Sequence, residues 1–391
     1  MSDGTLQTLD ITMLDDVGTG ANQLIQLDSN AKIPACSGAA ITGLSSVTKN
    51  ASDPAIATNP AGGVGTVWQN TTSGEMYICT DATAGENVWT NIGAGSGDVA
   101  PAYWYGARGV WGGGWRLAEV NEIEYITIAT TGNATDFGDL TEGREGLSSC
   151  SGGGRGLWFA GWDRSPSAIE TIIDYVTIST LGNAVDFGDV TQARTQMGSC
   201  SSGVRGLTMG GDSNGGPYFN IIDYVTIATT GNAVDFGDLT TTRTMMAVLA
   251  NGTRGVSAGG NGSVNIIEYV TIASVGNAVD FGDLTAGRYN ANGSSGETRG
   301  LMMGGNQSGS SNIIEYITIA TTGNSTDFGD LLTGVEGGSA CTNNVSAVYA
   351  GGYTGSYTNV IQYVTIASTG NATDFGDLTI AKGGYIAGCA G

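Results

Sequence analysis

The motif Asp-Phe-Gly-Asp occurs six times in this chain of 391 residues, beginning at Asp136, Asp186, Asp235, Asp280, Asp327 and Asp374, with spacings of 50, 49, 45, 47 and 47. A period of that length constrains the fold before any single element is read. Each copy is one supersecondary unit that must bury its apolar faces against its neighbours. The same parts recur in the same order around each copy. In the third, Arg205-Gly-Leu-Thr-Met-Gly-Gly211 reads as an apolar strand closed by two glycines. A variable Gly/Ser/Asn loop follows, then an alternating strand over 221–228, a Gly231-Asn232 turn, a strand over 233–239, and a Thr-x-x-Arg connection ending at Arg243. The apolar stretch 245–250 then begins the next unit. Period-2 alternation broken by Gly and Asn turns predicts a four-stranded antiparallel sheet per repeat. Six such sheets set radially cover one another's faces. Residues 383–391 match the strand that would precede Arg108, so the C-terminus is expected to complete the first sheet. Tyr103-Trp104-Tyr105 competes for the same register, and only one of the two segments can fill it.

Arg243, Gly259-Gly260, Glu268-Tyr269, Gly276-Asn277, Phe281 and Arg288 stand in the order of a kelch unit, and residues 108–391 resemble kelch repeats throughout. Phe replaces the usual kelch Trp in all six copies. Ala160 replaces one glycine of the second, and the sixth has Ser346 and Val335 for arginines and Gln362 for the acid. The resemblance implies an all-β chain, with a six-bladed kelch-like β-propeller over 99–391. A small β module over 61–98 is expected around Trp68, Tyr77 and Trp89, preceded by a segment over 1–60.

Ten of the 14 basic residues occupy two repeat positions: Arg108, Arg155, Arg205, Arg254 and Arg299, then Arg144, Arg194, Arg243, Arg288 and Lys382. Recurrence in every unit argues for a structural role. Each is expected to pair with a repeated acid, either the motif aspartates (Asp186, Asp235, Asp280, Asp327) or Asp174, Asp223, Glu268 and Glu315. The net charge of −22 opposes nucleic-acid binding, which needs clustered cations. No run of about 20 apolar residues reads as a membrane span, and the N-terminus lacks the pattern of a Sec signal. Histidine is absent, which removes His-based triads and most zinc and copper sites. No catalytic residue, metal or cofactor is therefore expected. The Asp-Phe-Gly triplet is not a kinase signature here, because it recurs six times without a Gly-rich loop. Calcium is disfavoured, since residues three apart on a regular strand point to opposite faces, although a bulge at the glycine would alter that. Cys150, Cys200, Cys341 and Cys389 share one repeat position, too far apart for disulfides, and read as small buried hydrophobes.

Trp104, Trp111, Trp115, Trp158 and Trp162 all fall in the first two units. Packing is the first reading of this cluster, and a carbohydrate-stacking patch is the functional one.

The run from Asn22 to Ala35, followed by Gly43-Leu44, resembles a recurring phrase of bacteriophage fibre shafts, and residues 67–80 are similar to modules of phage virion proteins. Leu24, Ile25, Leu27, Ile33 and Ile41 are candidates for a shared trimer core. This resemblance implies a virion fibre or spike that assembles as a homotrimer and attaches to other virion proteins through 1–60. The propeller would then be displayed to a host-surface receptor, with a cell-surface glycan as the expected ligand. Assembly in the host cytoplasm and release by lysis would explain the missing secretion signal. A capsid-decorating head fibre and a glycan-cleaving tail spike, the latter needing only two carboxylates, are the alternatives.

Overall fold

The computed structural model describes residues 47–92 and 103–391, apart from 119, 165, 166 and 384. Residues 1–46 of the expected attachment and trimerisation segment therefore lie outside the described residues. The chain divides into two compact units, 1–101 and 102–391. Among the described residues all regular structure is β, in seven four-stranded sheets. Among the described residues no helix is long and apolar enough to cross a membrane.

In the first unit, strands Thr48–Asn50, Val67–Asn70, Met76–Asp81 and Val88–Asn91 form one sheet in chain order. The first pair is parallel and the others are antiparallel. Its small core is Trp68, Tyr77, Cys79 and Trp89, with the two indoles edge-to-face at 5.8 Å.

The second unit consists of six sheets of one design and is propeller-like. In the third sheet the strands Gly198–Ser201, Arg205–Met209, Ile221–Thr226 and Val234–Asp238 run as an antiparallel meander. The first sheet is completed by the C-terminal strand Ala387–Ala390, paired with Arg108–Gly112. The inner strands Ser148–Gly152, Gly198–Ser201, Ala247–Ala250, Asn292–Ser295, Ser339–Thr342 and Ala387–Ala390 neighbour one another in cyclic order.

Three recurrent contacts join successive sheets. First, the glycine of each Asp-Phe-Gly-Asp motif lies under the Gly-Asn turn of the next sheet. A Cβ on Gly188 would meet the Gly231 carbonyl carbon and oxygen at 2.5 Å, and on Gly376 the Gly132 oxygen at 2.4 Å. The turn closes on the motif with backbone and side chain together. Gly231 N–H donates to the Phe187 carbonyl at 2.7 Å, and Asp189 N–H donates to Asn232 Oδ1 at 3.1 Å. Second, at five of the six junctions the middle of an inner strand packs on the glycine of the next Arg-Gly pair. A Cβ on Gly206 would lie 2.7 Å from Cys150 Sγ, and one on Gly109 would lie 2.6 Å from Cys341 Sγ. These cysteines are buried and free, and desolvation pushes the Cys200 and Cys389 thiols up to about 12.

The third contact corrects the expected pairing of the first arginine set. Among the described residues Arg155, Arg205, Arg254 and Arg299, with Arg108, do not pair with acids. Each guanidinium stacks over the tyrosine of its own sheet, at 4.4 to 4.8 Å from the ring centroid. Its Nη1 donates to the isoleucine carbonyl just past the third strand of the next sheet, such as Ile272 for Arg205 at 3.0 Å. That carbonyl lies beyond the ladder and needs a donor. The motif aspartates Asp186, Asp235, Asp280 and Asp327 are exposed, and among the described residues none forms an ion pair.

The second basic set does pair with third-strand acids, in a buried layer. Arg144 meets Asp174 at 2.8 Å, Arg194 meets Asp223 at 2.9 Å and Lys382 meets Glu124 at 2.8 Å. Arg243 pairs with Glu268 and Arg288 with Glu315. Burial pulls the Arg243 guanidinium down to about 10, so it remains charged at neutral pH. In the sixth sheet the pair is replaced on both sides. Val335 stands for the arginine and Gln362 for the acid, and Gln362 Oε1 accepts the Leu332 N–H at 2.7 Å. Neutralising both partners together avoids leaving a buried charge uncompensated.

Candidate functional site

The five tryptophans grouped by sequence separate into three places. Trp111 and Trp158 are fully buried and flank the C-terminal strand: Trp158 Nε1 donates to its Ala387 carbonyl at 3.1 Å, and Trp111 Nε1 donates to the Ser339 carbonyl of the neighbouring inner strand at 3.3 Å. A Cβ on Gly388 would lie 2.4 Å from the Trp111 ring. They clamp the strand that closes the first sheet and leave no face for a ligand. Trp104 sits at one end of the space between the inner strands. Its carbonyl accepts from Ser151 Oγ at 2.9 Å, and its ring lies against Gly252. Tyr105 beside it donates to Glu297 at 3.0 Å. Together with the inner strands, Trp104 lines a cavity of about 70 Å³. The segment 103–105 is thus a plug rather than a strand.

Trp115 and Trp162 lie at the opposite end, on one face with loops from all six sheets. That face is organised by a ring of backbone. Gly146, Gln196, Met245, Asn290, Gly337 and Tyr385 hold equivalent places before the inner strands, all with φ between +55° and +68°. The N–H of each later member donates to the carbonyl of the one before it, from Gln196 on Gly146 to Tyr385 on Gly337, at 2.6 to 3.1 Å. Holding Gln196, Met245 and Tyr385 at positive φ is a local strain that the interlocked ring maintains.

Outside this ring, six pairs join residue-by-residue: Glu145 with Trp162, Thr195 with Asp212, Tyr289 with Asn306, Glu336 with Tyr353, Gly383 with Trp115, and Thr244 with Asn261. In the sequence, one partner directly follows the double glycine and the other directly follows the connection's basic residue or its replacement. Both positions change from unit to unit while their neighbours repeat. That contrast was the available signal, and a search for conserved chemistry passes over it.

The chemistry of the face is aromatic and acidic. Arg164 is sandwiched between Trp115 and Trp162, at 3.9 and 4.5 Å from the ring centroids, and its Nε donates to Glu145 at 2.7 Å. Tyr353 and Tyr357 meet edge-on at 5.6 Å. Glu336 accepts from Asn290 Nδ2 at 3.1 Å, Asn306 Nδ2 at 3.0 Å and Ser310 Oγ at 3.4 Å. Asn290 Nδ2 also donates to the Tyr385 hydroxyl at 3.3 Å. Burial, with Glu336, Glu145 and Asp212 nearby, pushes Tyr385 up to about 12, so it stays a neutral hydroxyl. Burial likewise raises Asp212, against the hydrogen bonds of Asn214, Gly215 and Thr244.

At the edge of this face Glu142, Asp163 and Glu170 bring carboxylate oxygens within 4.8 Å of one another, and burial with the two neighbouring charges raises Glu170. Acidic groups so placed are common without an ion.

No protein-family model matches this sequence, and none of the curated proteins is similar to it.

Proposed function

We propose that the chain is a bacteriophage virion structural protein, a fibre or spike, whose six repeated sheets are the blades of a closed six-bladed kelch-like propeller. The propeller is displayed outward as a receptor-binding head for a host cell-surface glycan. Residues 1–60 attach it to other virion proteins and assemble a homotrimer. One observation carries the binding role: the frame repeats from sheet to sheet, whereas the residues that differ converge on the face carrying Trp115, Trp162, Glu336 and Tyr353. Variable loops on a rigid scaffold are where recognition is placed, and aromatic rings with convergent polar groups suit sugar rings.

The solution mass of the full chain, compared with a chain beginning at Pro101, tests the fibre reading. A trimer that becomes a monomer on truncation supports it, and a monomer in both forms refutes trimerisation through the N-terminal segment. A glycan-cleaving spike is the second reading, favoured by the raised Asp212 carboxyl on the same face as Glu145 and Glu336. It requires release of reducing ends from host polysaccharide, lost in Asp212→Asn.

A further inference from the structure

In the buried layer of ion pairs four sheets use arginine, and the first uses Lys382. That sheet is also the one made from both ends of the repeat region, where Ala387–Ala390 pairs with Arg108–Gly112. A guanidinium stays charged at neutral pH and is not a nucleophile, whereas an amine that has given up a proton is one.

The carboxyl group facing this amine is held as an acyl acceptor. Thr379 N–H donates to Glu124 Oε1 at 2.7 Å, and the Thr379 hydroxyl donates to the same oxygen. Oε2 is buried and makes no hydrogen bond among the described residues, yet Lys382 Nζ lies 2.8 Å from it. The amine therefore meets the carboxylate away from the hydrogen-bonding direction. Nζ donates instead to the Glu122 carbonyl at 3.5 Å. The two side chains are 0% and 1% exposed, so bulk water does not reach the pair. Equivalent threonines donate to Asp174, Asp223 and Glu315, but there an arginine faces the acid. A second departure falls on the same strand. The other sheets have Ile172, Ile221, Ile266, Ile313 or Val360 two residues before the paired position, and the first has Glu122. Alternation puts Glu122 on the strand face of Glu124, and its Oε2 is buried with no partner among the described residues.

We propose that Lys382 and Glu124 condense to an intramolecular amide, which fastens the C-terminal segment covalently to the first sheet. A proton passes from the Nζ ammonium to Oε2, converting the pair to an amine and a carboxylic acid. Nζ then bonds to Glu124 Cδ, and the negative charge that gathers on Oε1 falls where Thr379 already donates twice. Glu122 takes a proton from Nζ and delivers it to Oε2. The Cδ–Oε2 bond breaks, the carbonyl re-forms at Oε1, and one water leaves. The step consumes no oxidant or co-reactant. Groups held in contact react as though at an effective concentration of about 10⁵ M or more, which drives the condensation. Elsewhere the chain itself joins successive sheets; here the amide supplies the missing connection.

The test is the intact mass of the full chain, denatured after the folded protein has been held at neutral pH until its mass is constant. The wild type is expected below its sequence mass by one water. A protease digest should then contain a branched peptide joining the segments of Lys382 and Glu124. Lys382→Arg installs the basic residue of four other sheets and should show its full sequence mass. Glu122→Ile, the residue at that place in four other sheets, should slow the linkage by about tenfold or more, read as the linked fraction at successive times after synthesis. A wild-type chain at full sequence mass, or a deficit of one water that persists in Lys382→Arg, overturns the proposal. An unchanged linking rate in Glu122→Ile overturns the part given to Glu122. The presence or absence of the branched peptide in the wild type decides the case even where a variant fails to fold.

Discussion

Replacing Glu315 with glutamine should be among the most damaging single changes available in the repeated unit. Arg288 has essentially no exposed side-chain surface, and Glu315 is its counter-charge. Burial already lowers the affinity of Arg288 for its proton, and the Glu315 charge opposes that shift. With glutamine there the guanidinium keeps only neutral partners, the new amide oxygen and the Gly304 and Ile313 carbonyls at 3.3 and 3.2 Å. Breaking a buried pair from one side costs about 3–5 kcal/mol, because an uncompensated charge remains in the interior. The sixth sheet shows what a compensated replacement looks like, with Val335 and Gln362 in the two places. The double substitution Arg288→Val with Glu315→Gln should therefore recover most of the loss and lie within about 1–2 kcal/mol of the original protein. Equilibrium urea denaturation followed by tryptophan fluorescence reads this as a shift of midpoint at unchanged slope. A loss below about 1 kcal/mol in the single variant, or a double variant no better than the single, would refute the claim that the buried charge governs this layer.

Four further outcomes follow from the same contacts. Ser346→Arg should add about 1 kcal/mol by stacking on Tyr363 and reaching the Ile128 carbonyl, the one junction without this bridge; an unchanged or lowered urea midpoint would mean that the sixth-to-first junction is built differently. Gly206→Ala should lose about 1–3 kcal/mol to overpacking against Cys150, and a double-mutant cycle with Cys150→Ala should give a favourable coupling of at least about 0.5 kcal/mol; strict additivity would deny the contact. Cys150, Cys200, Cys341 and Cys389 are buried with thiols pushed far above their ordinary value, so a thiol reagent at neutral pH should leave all four unmodified until denaturant is added. Asp212 has a raised carboxyl, so its contribution to stability is complete below the ordinary Asp range, about pH 4, and is lost as pH rises through the folded value. Asp212→Asn should accordingly gain stability relative to the parent between about pH 4 and pH 7, and parallel melting curves across that range would contradict the assignment.

The strand order was legible because the repeat is local. Each unit writes its alternation, its Gly-Asn turn and its double glycine within about 47 residues, and nothing distant is needed to read a meander. The role of the motif glycine was not legible, since it depends on a turn some 43 residues further on that passes within van der Waals distance of it. Arginine partners failed for a related reason. Arg205 and Arg243 both have acids nearby in sequence, but the pleat sets Arg205 over Tyr224 and Arg243 over Glu268. Composition cannot distinguish those two environments; register does. The tryptophans make the same point for the site. Trp111 and Trp115 are only four residues apart, yet Gly113 and Gly114, at φ +68° and +104°, lie between them. The first is on a strand facing the neighbouring sheet, and the second is past the reversal on the loop face. Counting aromatics along the chain merges a buried clamp with residues of the loop face. Counting them by repeat position separates the two, because in a radial array position within the unit fixes depth and face, and unit number fixes only the angle. A functional reading of any chain of this kind therefore begins with the positions at which the units disagree.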